Sequence, residues 1–464
     1  MLSKEDNEIL CRVGKGTPMG ELIREYWIPV LPSSEFPVPD APAKRMRLLG
    51  ENLVMFKDTN GDIGAFPESC PHRGASLYFG RNEEGGLRCG YHGWKFDVSG
   101  NCMEMPSEPD GSNFKEKVKI RSYPCRDVNH MVWIYMGHRP TPPPFPQFDV
   151  NTLPAENVNP PVVMMEEANY FQNLEGDTDT SHLDWLHARL KVEDGPVGEG
   201  HTIGTFSPQR NPSVHAMPAN YGAFYTGRRK IGDDQYWHRI NQFIFPIFTM
   251  VGGDGHNAHL RAHVPVDDTH SMLISMGGSR TKPLTKEERN HKRFTDPFYP
   301  TGGYVPRTSN PLTYFHTVAN KENDYARDFT VEKTQMYSGV GFVHNLQDRA
   351  MTELMTSESG EAIYDRSHEH LGTTDGMCIM VRKQVLNAVR IHEEDGTVPA
   401  NVDDGGLNGR IRHACLILSE DGNWIAASET QRSGEEDHAC ICGPLLSGND
   451  PGATSSRGEL LRTG

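Results

Sequence analysis

Two short segments of the 464-residue chain each offer one cysteine and one histidine, and this pairing is the strongest constraint on the fold. Cys70 and His72 lie in C-P-H, and Cys89 and His92 lie in C-G-Y-H. A structural zinc ion takes two thiolates and two imidazoles tetrahedrally, whereas a [2Fe-2S] cluster can carry two cysteines on one iron and two histidines on the other. One ligand of each kind per segment favours the cluster, because each loop then serves both irons. Zinc stays open as the alternative.

Composition restricts the compartment and the partners. The formal net charge is -16, from 46 Lys and Arg against 62 Asp and Glu, which argues against a nucleic-acid surface. No run approaches the roughly 18 apolar residues of a membrane-spanning helix. Nine cysteines and an acidic amino terminus, MLSKEDNEILCR, argue against a secreted disulfide framework. We therefore expect a cytoplasmic protein with no membrane and no nucleic-acid partner.

The pattern of apolar and turn-forming residues along the chain predicts an α+β protein in three parts. Residues 1–149 begin with two short helical pieces and continue as short alternating strands, which is typical of a small antiparallel β domain. Five prolines within residues 139–148 exclude a helix or a central strand there and indicate a boundary. Residues 150–431 alternate helical and strand patterns, as in an antiparallel sheet with helices. We expect helices around residues 175–190, from Asp348 and over residues 380–392, and strands over residues 240–251 and 259–264.

Residues 432–464 are rich in glycine, serine and charge and predict a flexible tail. The tail contains His438, Cys440 and Cys442, whose residue types invite a further metal site. Their position in a polar segment without apolar periodicity favours a disordered segment instead.

A second group of metal-ligand residue types lies within residues 175–187. Asp179 stands three positions before His182, and His187 stands five positions after it, which are the residue types of a 2-His-1-carboxylate iron site. On an ideal helix Glu175, Asp179 and His182 share one stripe, but His187 would lie about 140° around the helix from His182. Both imidazoles can reach one metal only if the helix widens or breaks. The sequence therefore predicts a backbone irregularity between His182 and His187.

The segments C-P-H-R-G-A-S-L and C-G-Y-H-G-W-K-F-D, followed by D-x-x-H-x-x-x-x-H, resemble the Rieske non-haem iron oxygenases. The run N-x-x-Q-x-x-E-G-D-x-D-T-S-H is similar to the phthalate dioxygenase branch of these aromatic ring-hydroxylating enzymes. The resemblance extends from residue 1 to about residue 430, and it includes P-M-G-x-L-I-R-x-Y-W-I-P and D-R-S-H-E-H-L-G-T-T-D. It implies an N-terminal antiparallel β Rieske domain and a C-terminal helix-grip catalytic domain.

The resemblance assigns roles to the first two groups of residues. It implies that Cys70, His72, Cys89 and His92 hold the [2Fe-2S] cluster, and that His182 and His187 are ligands of a mononuclear Fe(II). Asp179 would be the catalytic carboxylate that bridges the iron site to a Rieske histidine of a neighbouring subunit.

A third iron ligand is expected far along the chain. The segment N-L-Q-D-R-A-M-T-E is similar to the family's Q-D-x-x-M-x-E helix and nominates Asp348, with Glu353 as the alternative. Asn169 and Gln172 are expected to lie just outside the iron ligands or at a sixth position of the iron, or to be ordinary polar groups.

The resemblance also implies the reaction system. O₂ is the co-substrate, and electrons come from NAD(P)H through a separate ferredoxin, flavin reductase or both. Electrons would cross between subunits of a head-to-tail homotrimer or of stacked trimers. The other-class alternative is a Rieske electron carrier that lacks an oxygenase site.

The substrate implied by the branch is an aromatic acid, whose carboxylate needs cationic or hydrogen-bonding groups near the iron. The presumed pocket strands offer Arg228, Arg229 and Arg239, but phenylalanines flank them, and Asn241 and Phe224 provide no cation in the strand cores. We therefore expect a roomy apolar pocket that favours oxidative O-demethylation of a methoxylated, lignin-type acid. Phthalate-type ring dihydroxylation is the alternative.

Overall fold

The chain begins with two helices, α1 at Lys4–Cys11 and α2 at Pro18–Arg24. The Ser3 side chain accepts a hydrogen bond from the Asp6 amide and the Thr17 side chain accepts one from the Gly20 amide, so both helices have a polar N-cap. The predicted split of the first helical segment is confirmed. The computed structural model describes residues 2–191, 210–252, 257–289, 302–341 and 343–434.

The N-terminal part is built of ten short strands in three antiparallel sheets, as expected. The sheet orders are β1-β10-β9, β2-β3-β4 and β5-β6-β7-β8. The strands are β1 Trp27–Pro32, β2 Lys44–Leu48, β3 Glu51–Lys57, β4 Ile63–Pro67, β5 Arg81–Glu83, β6 Gly86–Arg88, β7 Lys95–Phe96, β8 Cys102–Glu104, β9 Cys125–Val128 and β10 Met131–Tyr135.

The C-terminal part carries an eight-stranded antiparallel sheet of order β11-β17-β16-β15-β14-β13-β12, with β18 also paired to β14. The strands are β11 Val162–Glu166, β12 Ser213–Ala219, β13 Gly222–Gly232, β14 Gln235–Ile244, β15 Phe248–Met250, β16 Asn257–Pro265, β17 Ser271–Ser279 and β18 Ala414–Leu418. The single strand expected over residues 240–251 is wrong, because the chain turns at residues 245–247.

Eight helices of this part are described. They are α3 Asp149–Thr152, α4 Tyr170–Thr178, α5 Phe329–Thr334, α6 His344–Thr352, α7 Gly376–Asp395, α8 Ala400–Asp403, α9 Trp424–Ala427 and α10 Glu429–Ser433. The helix predicted from Asp348 starts four residues earlier, at His344. Helix α10 runs past the predicted tail boundary at residue 432. The rest of the predicted tail, including His438, Cys440 and Cys442, lies outside the described residues.

Two apolar cores hold the chain together. One core joins α1, α2, β1 and β10 to the large sheet and to α4 and α7. The second is confined to the N-terminal part and includes Cys70, Cys89, Trp94 and Phe96. At the junction, the Leu49 amide donates to the Pro265 carbonyl at 3.1 Å. Among the described residues, no helix has both the length and the apolar character needed to cross a membrane.

One carboxyl group is buried in the interior of the large sheet, where its hydrogen bonds come from neutral side chains. Glu166, at the end of β11, accepts hydrogen bonds from the Asn173 amide at 2.7 Å and the Ser271 hydroxyl at 3.2 Å. Burial raises the pKa of Glu166 to about 8, and the charge of Arg349 only partly opposes this rise. Glu166 is therefore protonated in the folded protein at neutral pH.

The Glu166→Gln variant should lose part of the pH dependence of stability. Between about pH 4.5, where an unfolded glutamate releases its proton, and pH 8, the folded wild type binds more protons than the unfolded chain. Wild-type stability should therefore fall as pH rises through this range, by roughly 1 to 3 kcal/mol relative to the variant. Denaturant unfolding at pH 5 and pH 8 measures the difference. A Glu167→Gln control should keep the wild-type slope, and an unchanged slope in Glu166→Gln would contradict the assignment.

Candidate metal centres and active site

The two cysteine–histidine segments close into matching turns. The Gly74 amide donates to the Cys70 carbonyl at 2.8 Å, and the Gly93 amide donates to the Cys89 carbonyl at 3.0 Å. Both glycines have positive φ angles, +76° and +77°, a conformation that favours residues without a Cβ. The sequence C-x-x-x-G thus builds each loop around its cysteine, and the two loops face each other.

The loops present two thiols and two imidazoles to one another. Cys70 and Cys89 are each only 2% exposed, and the rings of His72 and His92 have centroids 4.5 Å apart. Burial raises the pKa of the Cys70 thiol to about 11, and the neighbouring Cys89 adds to the rise. A cationic iron centre would offset this cost by binding the thiolates.

The histidine side of the loops also has a free coordinating atom. His72 stacks on Trp94, with centroids 4.3 Å apart, and its Nδ1 atom is buried without a hydrogen-bond partner among the described residues. An orphaned imidazole nitrogen beside a second histidine and two buried thiols fits a [2Fe-2S] cluster with two histidine ligands.

His182, His187 and Asp348 converge on a second point, with one ligand atom from each lying within 4.8 Å of the others. The two Nε2 atoms are 3.2 Å apart. Asp348 Oδ1 lies 3.6 Å from His182 Nε2 and 3.0 Å from His187 Nε2. The His187 side chain is 3% exposed, whereas those of His182 and Asp348 are 21% and 25% exposed. Two imidazoles and a carboxylate therefore occupy one side of a point that is open on the other, which fits a mononuclear iron.

The backbone brings the histidines together because α4 ends early. The helix expected around residues 175–190 is wrong: α4 stops at Thr178, and Asp179 has an extended conformation with φ -89° and ψ 111°. A short 3-10 turn at His182–Asp184 follows, and Trp185 leaves helical geometry. The single helical stripe expected for Glu175, Asp179 and His182 is therefore also wrong. The predicted irregularity between His182 and His187 is confirmed.

Neighbouring side chains orient both imidazoles. Gln347 Nε2 donates to the Gly341 carbonyl at 2.8 Å, which turns Oε1 toward His187 Nδ1 at 2.6 Å. The Nδ1 atom of His187 must therefore carry the proton, which leaves the Nε2 lone pair for a metal. Asp179 Oδ2 lies 3.5 Å from His182 Nδ1. Asp179 Oδ1 accepts from the Ser181 amide and hydroxyl at 2.7 and 2.6 Å.

Buried ion pairs fix the carboxyl end of α4. Glu175 accepts from Arg366 at 2.6 Å and from Arg382 at 2.5 Å, and Glu369 holds Arg382 from the other side. Arg366 and Glu369 belong to the late segment D-R-S-H-E-H. That segment therefore acts on the site by holding α4 in place.

A second buried ion pair ties α4 to α6. Asp177 lies 3.0 Å from Arg261 Nε and 2.8 Å from His263 Nε2. Arg261 also donates to Asn345 Oδ1 at 3.0 Å. Since Asn345 precedes Asp348 on α6, Arg261 links α6, which carries Asp348, to α4, the helix that comes before His182 and His187. Sequence reasoning missed Gln347, Asp177 and Arg261, because their partners are far away along the chain.

Three other candidates from the sequence have structural roles. Asn169 caps α4 and donates to the carbonyls of Cys11 and Asp268 at 2.8 and 2.7 Å. Gln172 donates to the Thr352 and Met355 carbonyls at 2.6 and 3.0 Å. Glu353, the alternative ligand, is buried and accepts from Arg349 Nε at 2.6 Å and from the Tyr325 hydroxyl at 2.7 Å. The hydrogen bonds of Glu353 therefore go to Arg349 and Tyr325, and Asp348 is the carboxylate that meets the histidines.

The three arginines of the presumed pocket strands differ in their surroundings. Arg228 lies over the Tyr236 ring, 3.7 Å from its centroid. Arg229 is fully buried in an ion pair with Asp184 at 2.7 Å. Arg239 donates from Nε to the Gly252 carbonyl at 2.7 Å. The expectation that the strand cores contain no cation is therefore wrong, because Arg229 and Arg239 project from the core of the sheet.

Comparison with known proteins agrees with this architecture. Residues 26–124 match the model of the Rieske [2Fe-2S] domain, and residues 134–429 match the model described as LigXa C-terminal domain like. The oxygenase subunit of 3-chlorobenzoate-3,4-dioxygenase from Comamonas testosteroni is 35% identical over 94% of this chain and 99% of its own length. The phthalate 4,5-dioxygenase oxygenase subunit of Pseudomonas putida is 33% identical, over 91% and 94% of the two chains.

Two further matches are either shorter or lower in sequence identity. The oxygenase subunit of 5,5'-dehydrodivanillate O-demethylase from Sphingobium sp. is 37% identical over 59% of this chain and 62% of its own length. A structure of a variant oxygenase of carbazole 1,9a-dioxygenase in complex with ferredoxin has a TM-score of 0.50 at 17% identity. That similarity covers 88% of this chain and 98% of the other, and it supports the fold.

The fold, the two centres and these matches define an oxidoreductase that joins a Rieske domain to a non-haem iron catalytic domain. The chain belongs to the Rieske non-haem iron oxygenases, in the phthalate dioxygenase branch, as the terminal oxygenase component. A [2Fe-2S] cluster, a non-haem iron and O₂ are the cofactors and co-substrate of this family.

The Gln347→Ala variant should bind the mononuclear iron more weakly. Without the acceptor at Nδ1, the His187 ring loses its fixed orientation and tautomer, and loss of such a partner typically costs 10- to 100-fold in metal affinity. Iron content after dialysis against a chelator measures the loss, and the visible absorption of the cluster reports on the intact Rieske domain. The matched control is Gln384→Ala on α7. Equal iron retention by both variants would contradict the role of Gln347.

Proposed function

We propose that the protein hydroxylates an aromatic acid, using O₂ and electrons that a separate reductase delivers from NAD(P)H. The observation that carries this proposal is the convergence of His182, His187 and Asp348 in a chain that also has the paired cysteine–histidine loops. A simple electron carrier would need the loops alone. The alternative of a Rieske carrier without an oxygenase site therefore has less support.

In this proposal Cys70, His72, Cys89 and His92 hold the cluster, and the triad holds Fe(II). Bound there, the cluster supplies single electrons and the iron supplies open positions for O₂ and substrate. Around them, Gln347 keeps the His187 proton on Nδ1, and the buried Arg261 holds α4 and α6 together. The His187 side chain is almost fully buried, whereas His182 and Asp348 are partly exposed, so the triad can be reached from one side.

We further propose a head-to-tail trimer, or stacked trimers, in which Asp179 joins His182 of one chain to His92 of the next. The Asp179 side chain is 25% exposed, which leaves it accessible to a partner. Exposed apolar side chains lie near both centres: Phe79 and Tyr91 beside the cluster loops are 72% and 61% exposed, and Trp185 and Leu354 near the iron triad are 51% and 57% exposed. Two different patches on one chain suit a heterologous contact that closes as a ring.

The Asp179→Asn variant should keep both metal centres and lose turnover. An amide preserves the shape but not the charge that holds the His182 Nδ1 proton, so we expect kcat to fall by roughly 100-fold or more. Iron and sulfide content establish the loading, and NADH-dependent O₂ uptake with reductase gives the rate.

The chain offers a close control for this substitution. Asp365 forms the same turn, with Oδ1 accepting from the Ser367 amide at 2.9 Å and hydroxyl at 2.6 Å, but its neighbour His368 is exposed. Asp365→Asn should therefore turn over normally. Normal turnover by Asp179→Asn would contradict the bridging role.

The reaction subtype has two candidates. The 3-chlorobenzoate and phthalate dioxygenase relatives, which match over more than nine-tenths of this chain, favour ring hydroxylation. Oxidative O-demethylation, the preference from the sequence, is favoured by the O-demethylase relative, which spans 59% of the chain. In that reaction O₂, two electrons and two protons convert ROCH₃ to ROCH₂OH and water, and the hemiacetal then breaks down to ROH and formaldehyde.

A turnover assay separates these candidates. Purified oxygenase is supplied with a ferredoxin, a flavin reductase and NADH, and is tested on benzoates with and without methoxy groups. A ferredoxin donor is consistent with the ferredoxin in the carbazole dioxygenase complex. Formaldehyde equal to the O₂ consumed indicates demethylation, and diols indicate ring hydroxylation. Absence of substrate-dependent O₂ uptake in a fully metal-loaded protein would contradict the proposed oxygenase function.

We also propose a cytoplasmic location, and a division of the chain into residues 1–149, 150–431 and a tail at 432–464. Seven free cysteines among the described residues, none in a disulfide, are consistent with a reducing compartment. The first family match ends at residue 124 and the second begins at residue 134, which supports a division into two main parts but at a point ahead of the proline-rich region.

A further inference from the structure

The segment that carries His182 rests on a buried arginine of the catalytic sheet. Arg229, on β13, and Asp184 each have 0% of the side chain exposed. Arg229 Nε donates to Asp184 Oδ1 at 3.0 Å, and Arg229 Nη2 donates to Asp184 Oδ2 at 2.7 Å. The same Nη2 atom donates to the Thr180 carbonyl at 2.7 Å. One guanidinium therefore holds the residues that lie two positions before and two positions after His182.

The strand beneath this segment also lacks a side chain where the segment comes closest. Gly227 and Arg229 lie two positions apart on β13, so they project from the same face of the sheet. A Cβ at Gly227 would lie 2.7 Å from Thr180 Oγ1 and 2.8 Å from Thr180 Cγ2, which is closer than side chains pack. The Thr180 side chain is itself buried and has little room to move. The segment reaches the guanidinium because position 227 is a glycine.

An apolar contact fixes the other side of His182. Leu183, which follows His182, packs against an apolar cluster of Trp237 and Cys415. Trp237 is the direct partner of Arg229 across β13 and β14, so this cluster lies beside the guanidinium on the same face. The backbone around His182 is therefore fixed to the sheet by a charged pair and by an apolar contact.

The two imidazoles of the iron site are held in different ways. The His187 ring is 3% exposed and its Nδ1 atom lies 2.6 Å from Gln347 Oε1. The His182 ring is 21% exposed, and its Nδ1 atom lies 3.5 Å from Asp179 Oδ2, which is long for a hydrogen bond. The place of the His182 ring therefore depends more strongly on the backbone that carries it.

We propose that Arg229 is a positioning residue of the mononuclear iron site: it clasps the backbone from Thr180 to Asp184 and so determines where His182 meets the metal. This inference rests on the oxygenase function proposed above and adds a residue to the support of its iron site. A guanidinium suits the task because its planar fork binds a carboxylate and a carbonyl at the same time. An apolar pair of similar volume would fill the same space, but it would leave the Thr180 carbonyl without its donor.

Iron release without turnover tests this role. The holo-oxygenase is mixed anaerobically with an excess of a coloured Fe(II) chelator, and the visible absorption of the cluster is followed at the same time. The EPR spectrum of the nitric oxide adduct reports on the ligand geometry of the iron, and denaturant unfolding reports on stability. The variants are Arg229→Met combined with Asp184→Leu, and Arg229→Lys alone.

A second buried pair of the same residue types provides the matched control. Arg280 lies 2.6 Å from Asp149, with side chains 5% and 16% exposed, and this pair joins the end of β17 to α3. The control is therefore Arg280→Met combined with Asp149→Leu.

The Arg229→Met, Asp184→Leu variant should unfold close to the wild-type midpoint, because replacing both partners leaves no unpaired buried charge. It should nevertheless release the mononuclear iron at least about 10-fold faster and show an altered EPR line shape. Arg229→Lys keeps a cation beside Asp184 but lacks the planar fork, so its release rate should lie between those of the wild type and the double variant. The control should match the wild type in release and in line shape.

Wild-type release and line shape in the double variant would overturn the role of Arg229. Equal acceleration in the control would also overturn it, because any buried pair would then have the same effect. If the double variant does not fold, Arg229→Lys decides: wild-type release and line shape in this variant would overturn the role, and faster release with an altered line shape would support it.

The proposed oxygenase function is judged on the wild type alone. A wild type that holds the cluster but binds no mononuclear iron would refute both the oxygenase function and the clasp. A wild type that binds the iron and takes up O₂ with substrate, while the Arg229 variants release iron normally, would refute only the role of Arg229.

Discussion

Buried charges at the carboxyl end of α4 determine the geometry of the iron site. Glu175 is held by Arg366 and Arg382, and two residues later Asp177 is held by Arg261 and His263. Removing one partner from such a pair leaves an uncompensated charge in the interior, at a cost of about 3 to 5 kcal/mol. These pairs hold the last turn of α4 in place, and the chain leaves the helix directly after that turn, at Asp179. That departure places His182 and His187 opposite Asp348.

The same constraint explains why distant parts of the sequence belong to one site. The Tyr170 hydroxyl on α4 donates to the Leu10 carbonyl at 2.8 Å, and Arg366 donates to Asn7 Oδ1 at 2.9 Å. The first helix of the chain therefore packs on the helix that precedes the candidate iron ligands, although the whole Rieske domain lies between them in sequence. The N-terminal segment and the late D-R-S-H-E-H segment support the site by fixing α4, without contributing a metal ligand themselves.

The residues that the sequence assigned to each centre lie together in the structure, because residue types that suit a metal were recognised from their local spacing. The motifs C-x-H and C-x-x-H are followed by Gly74 and Gly93, which allow the turns. Two histidines five residues apart required a break in the helix. The extent of that helix was predicted wrongly, because α4 ends where Glu175 and Asp177 meet arginines that lie about 85 to 205 residues further along the chain. Periodicity alone carries no information about such partners.

The arginines of the presumed pocket strands could not be distinguished from the sequence for the same reason. Alternation along β13 and β14 indicates which residues share a face, but it could not distinguish Arg229 from Arg239. The difference lies in Asp184, a residue of the turn after His182 that reaches one arginine and not the other. The sequence therefore suggested an apolar pocket, whereas the structure places the fully buried Arg229 and the half-buried Arg239 in the strand cores.

The proposed electron transfer between neighbouring subunits is tested most directly by mixing two inactive chains. Differently tagged Cys70→Ser and Asp348→Ala chains, the first without a cluster and the second without the mononuclear iron, are produced together and purified through both tags. Each variant alone should have no turnover, but mixed assemblies should recover a measurable fraction of wild-type NADH-dependent O₂ uptake, because the cluster of one chain serves the iron of its neighbour. Mixed assemblies that stay inactive, while equally tagged wild-type mixtures are active, would contradict transfer between subunits.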